Sequence, residues 1–346
     1  MPVLSRELLR ALPKAELHCH LDGSVRPSTL IELGAEYGQP MPADDAETLR
    51  EFMLVRDARH LEDYLARFAF TLSVMQHAES LERIAYELME DAAHDGVRYL
   101  EMRFAPVLNQ HNGLSLGAAV EAPLRGIARA EREHGIIGRV IVVGLRNQPP
   151  DISLELARLA VAYRNRGVVG FDLAGGEAGN PASVHAAAFS YAREHDMAVT
   201  VHAGEGAGAE SVREAVHICG ANRIGHATHL IDDPSLTQYV NDRRITLEIC
   251  LTSNVQTRAV PDYESHPLRS YYDDGLNVVL NTDNRLMSGT TLTDEYFHAA
   301  RHLDFTMAEL AEIALNGFTS AFLPWQERET LVTRVRAEIA ALSGAK

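Results

Sequence analysis

Glu16-Leu17-His18-Cys19-His20-Leu21-Asp22-Gly23 is a short apolar run carrying two histidines two residues apart. In an extended strand, side chains alternate between faces, so His18 and His20 project together and Cys19 projects the other way. Two imidazoles a few ångströms apart on one face can grip a metal ion. Asp22-Gly23 then ends the strand where a parallel barrel or open sheet places its ligand chemistry. A metal-dependent hydrolytic enzyme is the first expectation.

Working outward, the same kind of run recurs. Candidate strands lie at 15–21, 97–104, 138–144, 168–173, 198–202, 223–226, 246–250 and 277–282. Amphipathic helical patterns separate them, at 78–94, 116–133, 154–165, 183–195, 210–218, 233–242 and 266–272. Strands alternating with helices in this way predict an α/β fold, a (β/α)8 TIM barrel, as one domain over residues 1–346. A doubly wound open sheet would gather its ligand chemistry at one switch point, whereas here strand after strand ends in polar residues. The interval 23–95 is far longer than an ordinary connection and reads as a helical lid inserted after the first strand, with amphipathic pieces at 27–37 and 61–76. Residues 293–342 read as extra closing helices at the C-terminus.

Composition narrows the class of partner. A formal net charge of −16 over 346 residues disfavours nucleic acid and anionic membranes. A neutral or weakly charged small molecule fits best. The three cysteines, Cys19, Cys219 and Cys250, are too few for a disulfide framework and point to a reducing compartment. No secretion signal or membrane-length apolar run stands out, so a cytoplasmic location is expected. Oligomeric state is not legible.

The strand ends supply a constellation. Strand one gives His18 and His20, strand five gives His202-Ala203-Gly204-Glu205, strand six gives Gly225-His226, and strand eight gives Asn281-Thr282-Asp283-Asn284. Three histidines and an aspartate (His18, His20, His202 and Asp283) satisfy a zinc-like ion through nitrogen and oxygen, with a position left for water. Singly, each has a plainer reading: a hydrogen-bonded core histidine, or an aspartate capping the next helix. Jointly, at the ends of strands one, five and eight, they read as a catalytic metal site. Lysine occurs only at positions 14 and 346, so a lysine-bridged metal pair is excluded and one ion is expected. Such an ion lowers the pKa of bound water toward neutrality. Glu205, three residues beyond His202, is then the candidate proton carrier. His226 is the candidate to orient or deprotonate the water, and Asp283 can also aim it.

Taken in order, Pro13-Lys14-Ala15-Glu16-Leu17-His18-Cys19-His20-Leu21-Asp22-Gly23, His202-Ala203-Gly204-Glu205, Arg223-Ile224-Gly225-His226 and Asn281-Thr282-Asp283 resemble the adenosine/AMP deaminase family of metal-dependent hydrolases. The resemblance covers essentially the whole chain. It implies one Zn2+ held by His18, His20, His202 and Asp283, and a purine nucleoside converted to inosine and ammonia. It further implies that Glu205 protonates purine N1 and that His226 positions water at C6. Gly175 would offer its backbone to the purine, Asp22 would meet the ribose, and His20 would also line the pocket. The chain departs from the family pattern in two places. Asn284 stands where a second aspartate is usual, which bears on the contact to purine N7, and Ala227 follows His226 where some members have glycine.

The expected substrate is adenosine, with 2′-deoxyadenosine. The alternatives with the same chemistry are 6-aminodeoxyfutalosine and free adenine. Gly225 favours a nucleoside, since adenine-specific relatives tend to carry an acidic residue there. Arg56, Arg59 and Arg67 in the lid are candidates to meet a carboxylated substrate, although a solvated helix face is the plainer reading.

Overall fold

The computed structural model describes residues 4–55 and 67–344. Eight parallel strands form one sheet in sequence order: β1 (Lys14–His20), β2 (Val97–Phe104), β3 (Ile137–Leu145), β4 (Val168–Ala174), β5 (Ala198–Ala203), β6 (Arg223–His226), β7 (Thr246–Ile249) and β8 (Val278–Leu280). Helices surround them, so the barrel expected from the strand–helix alternation is the observed fold. Among the described residues, no helix is long and apolar enough to cross a membrane.

The seam between β8 and β1 decides where the chemistry sits. No regular ladder joins these strands. Instead the Asp283 N–H donates to the His18 carbonyl at 3.0 Å, and the His20 N–H donates to the Asp283 carbonyl at 2.7 Å. The Asn281 side-chain oxygen accepts from the N–H groups of both Leu17 and His18, at 2.7 and 3.1 Å. Two adjacent N–H groups on one acceptor mark an extra residue in β1, and the register against β2 shifts between Glu16 and Cys19. The bulge re-aims the strand. Glu16 and Cys19 both turn to the Thr282 hydroxyl outside the barrel, whereas His18 and His20 face the cavity. Strict alternation would have put Glu16 beside the two histidines.

A buried charge network fills the barrel below the site. Arg103 on β2 pairs with Asp172 on β4 and with Glu248 on β7, both at 2.9 Å. Arg223 on β6 pairs with Glu248 at 2.7 Å and with Glu101 on β2. Arg223 and Glu248 sit on adjacent strands, but the Arg103–Asp172, Arg103–Glu248 and Arg223–Glu101 pairs join strands that are not neighbours, so those contacts cross the interior. All five side chains are buried, where an unpaired charge would be strongly destabilising.

Between β1 and β2 lie helices Pro27–Tyr37, Ala46–Met53, Phe68–Val74 and Ala78–His94. The last belongs to the outer ring. It lies so close to helix Leu116–His134 that a Cβ on Gly126 would come within 2.2 Å of the Glu82 carbonyl. The stretch over the mouth is therefore shorter than the whole of 23–95. The expected piece at 61–76 survives as Phe68–Val74, with residues 61–66 outside the described residues. Helices Leu292–His302, Met307–Thr319 and Trp325–Gly344 form the anticipated C-terminal closure.

Candidate active site

A cavity of about 260 Å3 opens at the C-terminal ends of the strands. His20, His202, Glu205, His226 and Asp283 line one side; Phe68, Leu72, Leu108, Val143 and Leu145 line the other. Asp22, Gly175 and Asn284 also border it. A larger depression of about 610 Å3 between outer helices, bordered by Arg26, Asp91 and Asp95, has no comparable cluster. Among the described residues, His18, His202, His226 and Asp283 are the one group whose ligand atoms all lie within 4.8 Å of one another. His20 stands beside them: its Nε2 is 3.1 Å from His202 Nε2 and 3.3 Å from Asp283 Oδ1.

Several of the polar side chains are held from behind. His18 Nδ1 is 2.9 Å from Glu248 Oε2, and His202 Nδ1 is 3.1 Å from Asp172 Oδ2. A carboxylate can only accept, so both rings carry hydrogen on Nδ1 and turn a bare Nε2 inward. His18 Nε2 is buried and has no hydrogen-bond partner, although it lies 3.3 Å from Asp283 Oδ1. An orphaned buried nitrogen beside a carboxylate and two further imidazoles is a donor set suited to a cation. Ser253 donates to Asp283 Oδ2 at 2.6 Å, leaving the other oxygen toward the imidazoles.

The electrostatics divide the carboxyls into two kinds. Burial works against ionisation of Asp283, but the His18, His20 and His226 imidazoles gathered around it hold its carboxyl well below the usual range. Asp172 and Glu248 are likewise kept ionised against burial, the first by His202 and Arg103, the second by Arg103 and Arg223. Glu205 goes the other way. Burial, reinforced by the charge of Asp283, pushes it up to about 8, while Thr257 donates to its Oε1 at 2.9 Å. Asp22 rises to about 7 through burial. Burial pushes His226 down to about 4 and His20 well below its ordinary value, so both rings are neutral near pH 7.

Backbone conformation adds to this. His226, Ala227 and Asp283 have φ of +65°, +56° and +62°, a region that costs a non-glycine residue about 1–2 kcal/mol. Gly175, at +95°, occupies the same half of conformational space, and a Cβ there would meet nothing closer than 3.7 Å. The turn, not crowding, calls for glycine at 175. Gly225 is the opposite case, because a Cβ would lie 2.9 Å from His18 Cε1.

The structure thus brings together all of His18, His20, Asp22, Gly175, His202, Glu205, His226, Asp283 and Asn284. Several supporting residues were not read from the sequence. Asp172 and Glu248 had a signal: a carboxylate inside a parallel strand, where both faces are covered, needs a buried partner. Glu177 had none. Its carboxylate accepts the four consecutive N–H groups of residues 204–207, at 2.6–3.2 Å, and so clamps the loop that carries Glu205. Thr257, Ser253 and Asn254 were also missed. Arg56 and Arg59 lie outside the described residues, and the Arg67 guanidinium stacks over Phe52 at 4.2 Å.

Comparison with known proteins agrees with this geometry. The family profile described as Adenosine deaminase matches residues 13–338. An adenosine deaminase of Mycobacterium sp. (strain JLS) is 42% identical, over 99% of each chain. Among solved structures, the adenine deaminase from Arthrobacter aurescens superposes with a TM-score of 0.88 at 28% identity, covering 95% of this chain and 99% of that one. A COG1816 amidohydrolase from Burkholderia ambifaria, solved with bound Zn, gives 0.88 at 28% identity over 98% and 93%. With its barrel, its histidine–aspartate cluster and a full-length match, the chain belongs to the adenosine deaminase family of enzymes.

Proposed function

We propose that the protein hydrolyses adenosine, and 2′-deoxyadenosine, to inosine and ammonia, using one zinc ion held by His18, His20, His202 and Asp283. The observation that carries this reading is the orphaned His18 Nε2, within one cluster with Asp283 and on the same side of the cavity as a Glu205 carboxyl kept protonated by burial. When bound, the ion supplies Lewis acidity, lowering the pKa of a water in the cavity.

The protein's own groups do the rest. Glu205, held neutral by burial and aimed by Thr257, gives its proton to purine N1 as water adds at C6. His226 and Asp283 orient the water, whose proton passes to the carboxylate left on Glu205; Glu205 delivers it to the amine as the C6–N bond breaks and recovers a proton from the new C6 hydroxyl. Asn284 can donate to N7 through its amide without a shifted pKa, while Gly175 presents backbone to the base and Asp22 faces the ribose. The apolar wall of Phe68, Leu72, Leu108, Val143 and Leu145 covers the purine face.

Charge selects within the family. No lysine or arginine is among the described residues bordering the cavity, whereas Asp22, Glu205 and Asp283 are. Among these described residues a 5′-phosphate would find carboxyls and no cation, which favours an uncharged nucleoside over a nucleotide. We expect kcat/KM for zinc-loaded enzyme to be highest for adenosine and 2′-deoxyadenosine. It should be lower for adenine and 6-aminodeoxyfutalosine, and lowest for AMP. Any of these three outranking adenosine would overturn the substrate assignment.

A further inference from the structure

Three imidazoles, His18, His202 and His226, form the cluster with Asp283, and what lies behind them is not the same. Carboxylates back His18 and His202. Behind His226 stands a carboxamide: Asn254 Nδ2 is 2.9 Å from His226 Nδ1. Asn254 Oδ1 is in turn 3.2 Å from His266 Nε2, and His266 Nδ1 lies 3.1 Å from the backbone N–H of Leu268. All of these side chains are buried.

The direction of this relay follows from its end. A backbone N–H can only donate, so His266 Nδ1 is the bare nitrogen. Burial pushes His266 down to about 3, which keeps the ring neutral, and its one hydrogen is therefore on Nε2. That N–H needs an acceptor, so Asn254 must present its oxygen to His266 and its NH2 to His226. His226 Nδ1 then accepts, and the ring hydrogen sits on Nε2, 3.5 Å from Glu205 Oε2. Rotating the Asn254 amide would set NH2 against an N–H at His266, which the Leu268 donor forbids.

We propose that Asn254 and His266 are positioning residues that lock His226 as the Nε2–H tautomer, so that its ring donates a hydrogen bond into the cavity. In this state His226 has no lone pair to offer a cation or a proton, whereas His18 and His202 do. The same relay separates the rings of the geometric cluster into two that can ligate and one that cannot. It makes His226 an orienting donor for water and not its base. This role rests on the deaminase reading, but the tautomer itself does not.

The test is a long-range 1H–15N correlation spectrum of protein labelled with 15N-histidine, recorded with and without zinc, with His226→Gln to assign the ring. The expected result in both forms is a protonated Nε2 and bare Nδ1 for His226. A protonated Nδ1 in the wild-type ring overturns the proposal, whatever the substrate is. Asn254→Asp replaces the donor by an acceptor and should move the hydrogen to Nδ1. In the same variant kcat should drop by about 10–100-fold with KM little changed, the range seen when groups supporting an active site are lost. His266→Gln, which retains an N–H aimed at Asn254, should keep the wild-type tautomer. An Asn254→Asp variant with unchanged ring protonation and full kcat would also overturn the assignment. Should it not fold, the wild-type spectrum decides alone. If adenosine is not turned over but the ring is Nε2–H, the substrate reading fails and the relay stands.

Discussion

The two walls of the cavity are built on opposite plans. On the reactive wall, five polar side chains are tied from behind: His18 by Glu248, His202 by Asp172, Asp283 by Ser253, Glu205 by Thr257 and His226 by Asn254. The facing wall of Phe68, Leu72, Leu108, Val143 and Leu145 offers the cavity only apolar side chains. The contrast follows from what each wall must do. A ligand lone pair or proton donor is useful within a narrow cone of angles, so it needs directional bonds behind it. A surface that covers a flat base needs only shape and the exclusion of water. Substitutions should therefore cost rate and metal on one side and mainly affinity on the other.

The sharpest way to break this comparison is Glu205→Gln, which keeps size and removes the proton. We expect kcat to fall by about 10²–10⁴-fold with zinc content unchanged, followed through the adenosine absorbance. Wild-type kcat should also fall as pH rises through the Glu205 value of about 8, because the donor is the protonated form, present below that pH and lost above it. A cation in the cluster pulls that value down, moving the limb to lower pH without changing its direction. A kcat that rises through this range would remove Glu205 from the role of acid.

Next comes Glu248→Gln, which leaves His18 without its carboxylate and takes from Arg103 and Arg223 one of their two charge partners each, Asp172 and Glu101 remaining. Zinc affinity, read by chelator competition, should drop by about 10–100-fold. Stability against denaturant should fall by about 3–5 kcal/mol, as for other broken buried pairs. Unchanged zinc affinity would mean that the reactive wall does not depend on its backing. On the other wall, Leu108→Ala should raise KM by roughly 10–200-fold at most, the 1–3 kcal/mol range for trimming an apolar pocket, and leave kcat nearly as it was. A loss concentrated in kcat would erase the distinction between the walls. The smallest effect belongs to Ala227→Gly. Releasing an alanine from φ of +56° should stabilise the fold by up to about 1 kcal/mol, visible as a small rise in Tm.

The same contrast accounts for what could be read from the sequence. Eight strands were legible because short apolar runs alternate with amphipathic helices, and the histidines, Glu205 and Asp283 were legible because they end those runs. The bulge in β1 was not, since it depends on Asn281, a residue more than 260 positions away, meeting two adjacent N–H groups. Asp172 and Glu248 show in the sequence only as strand carboxylates that need a buried partner; that the partners are His202 and His18 depends on the closing of the ring. Glu177 looks like any loop carboxylate until residues 204–207 fold around it. The apolar wall is drawn from β3, the loop after β2 and helix Phe68–Val74, and no local pattern joins those pieces.

Gly225 sets a boundary on how this enzyme can change. The His18 ring lies where even one methyl group on strand six would stand, 2.9 Å from Cε1. A mutational library that varies position 225 in search of altered substrates would displace an imidazole in nearly every member. Diversification is better aimed at Leu108 and Leu145, where bulk can change without moving the histidines.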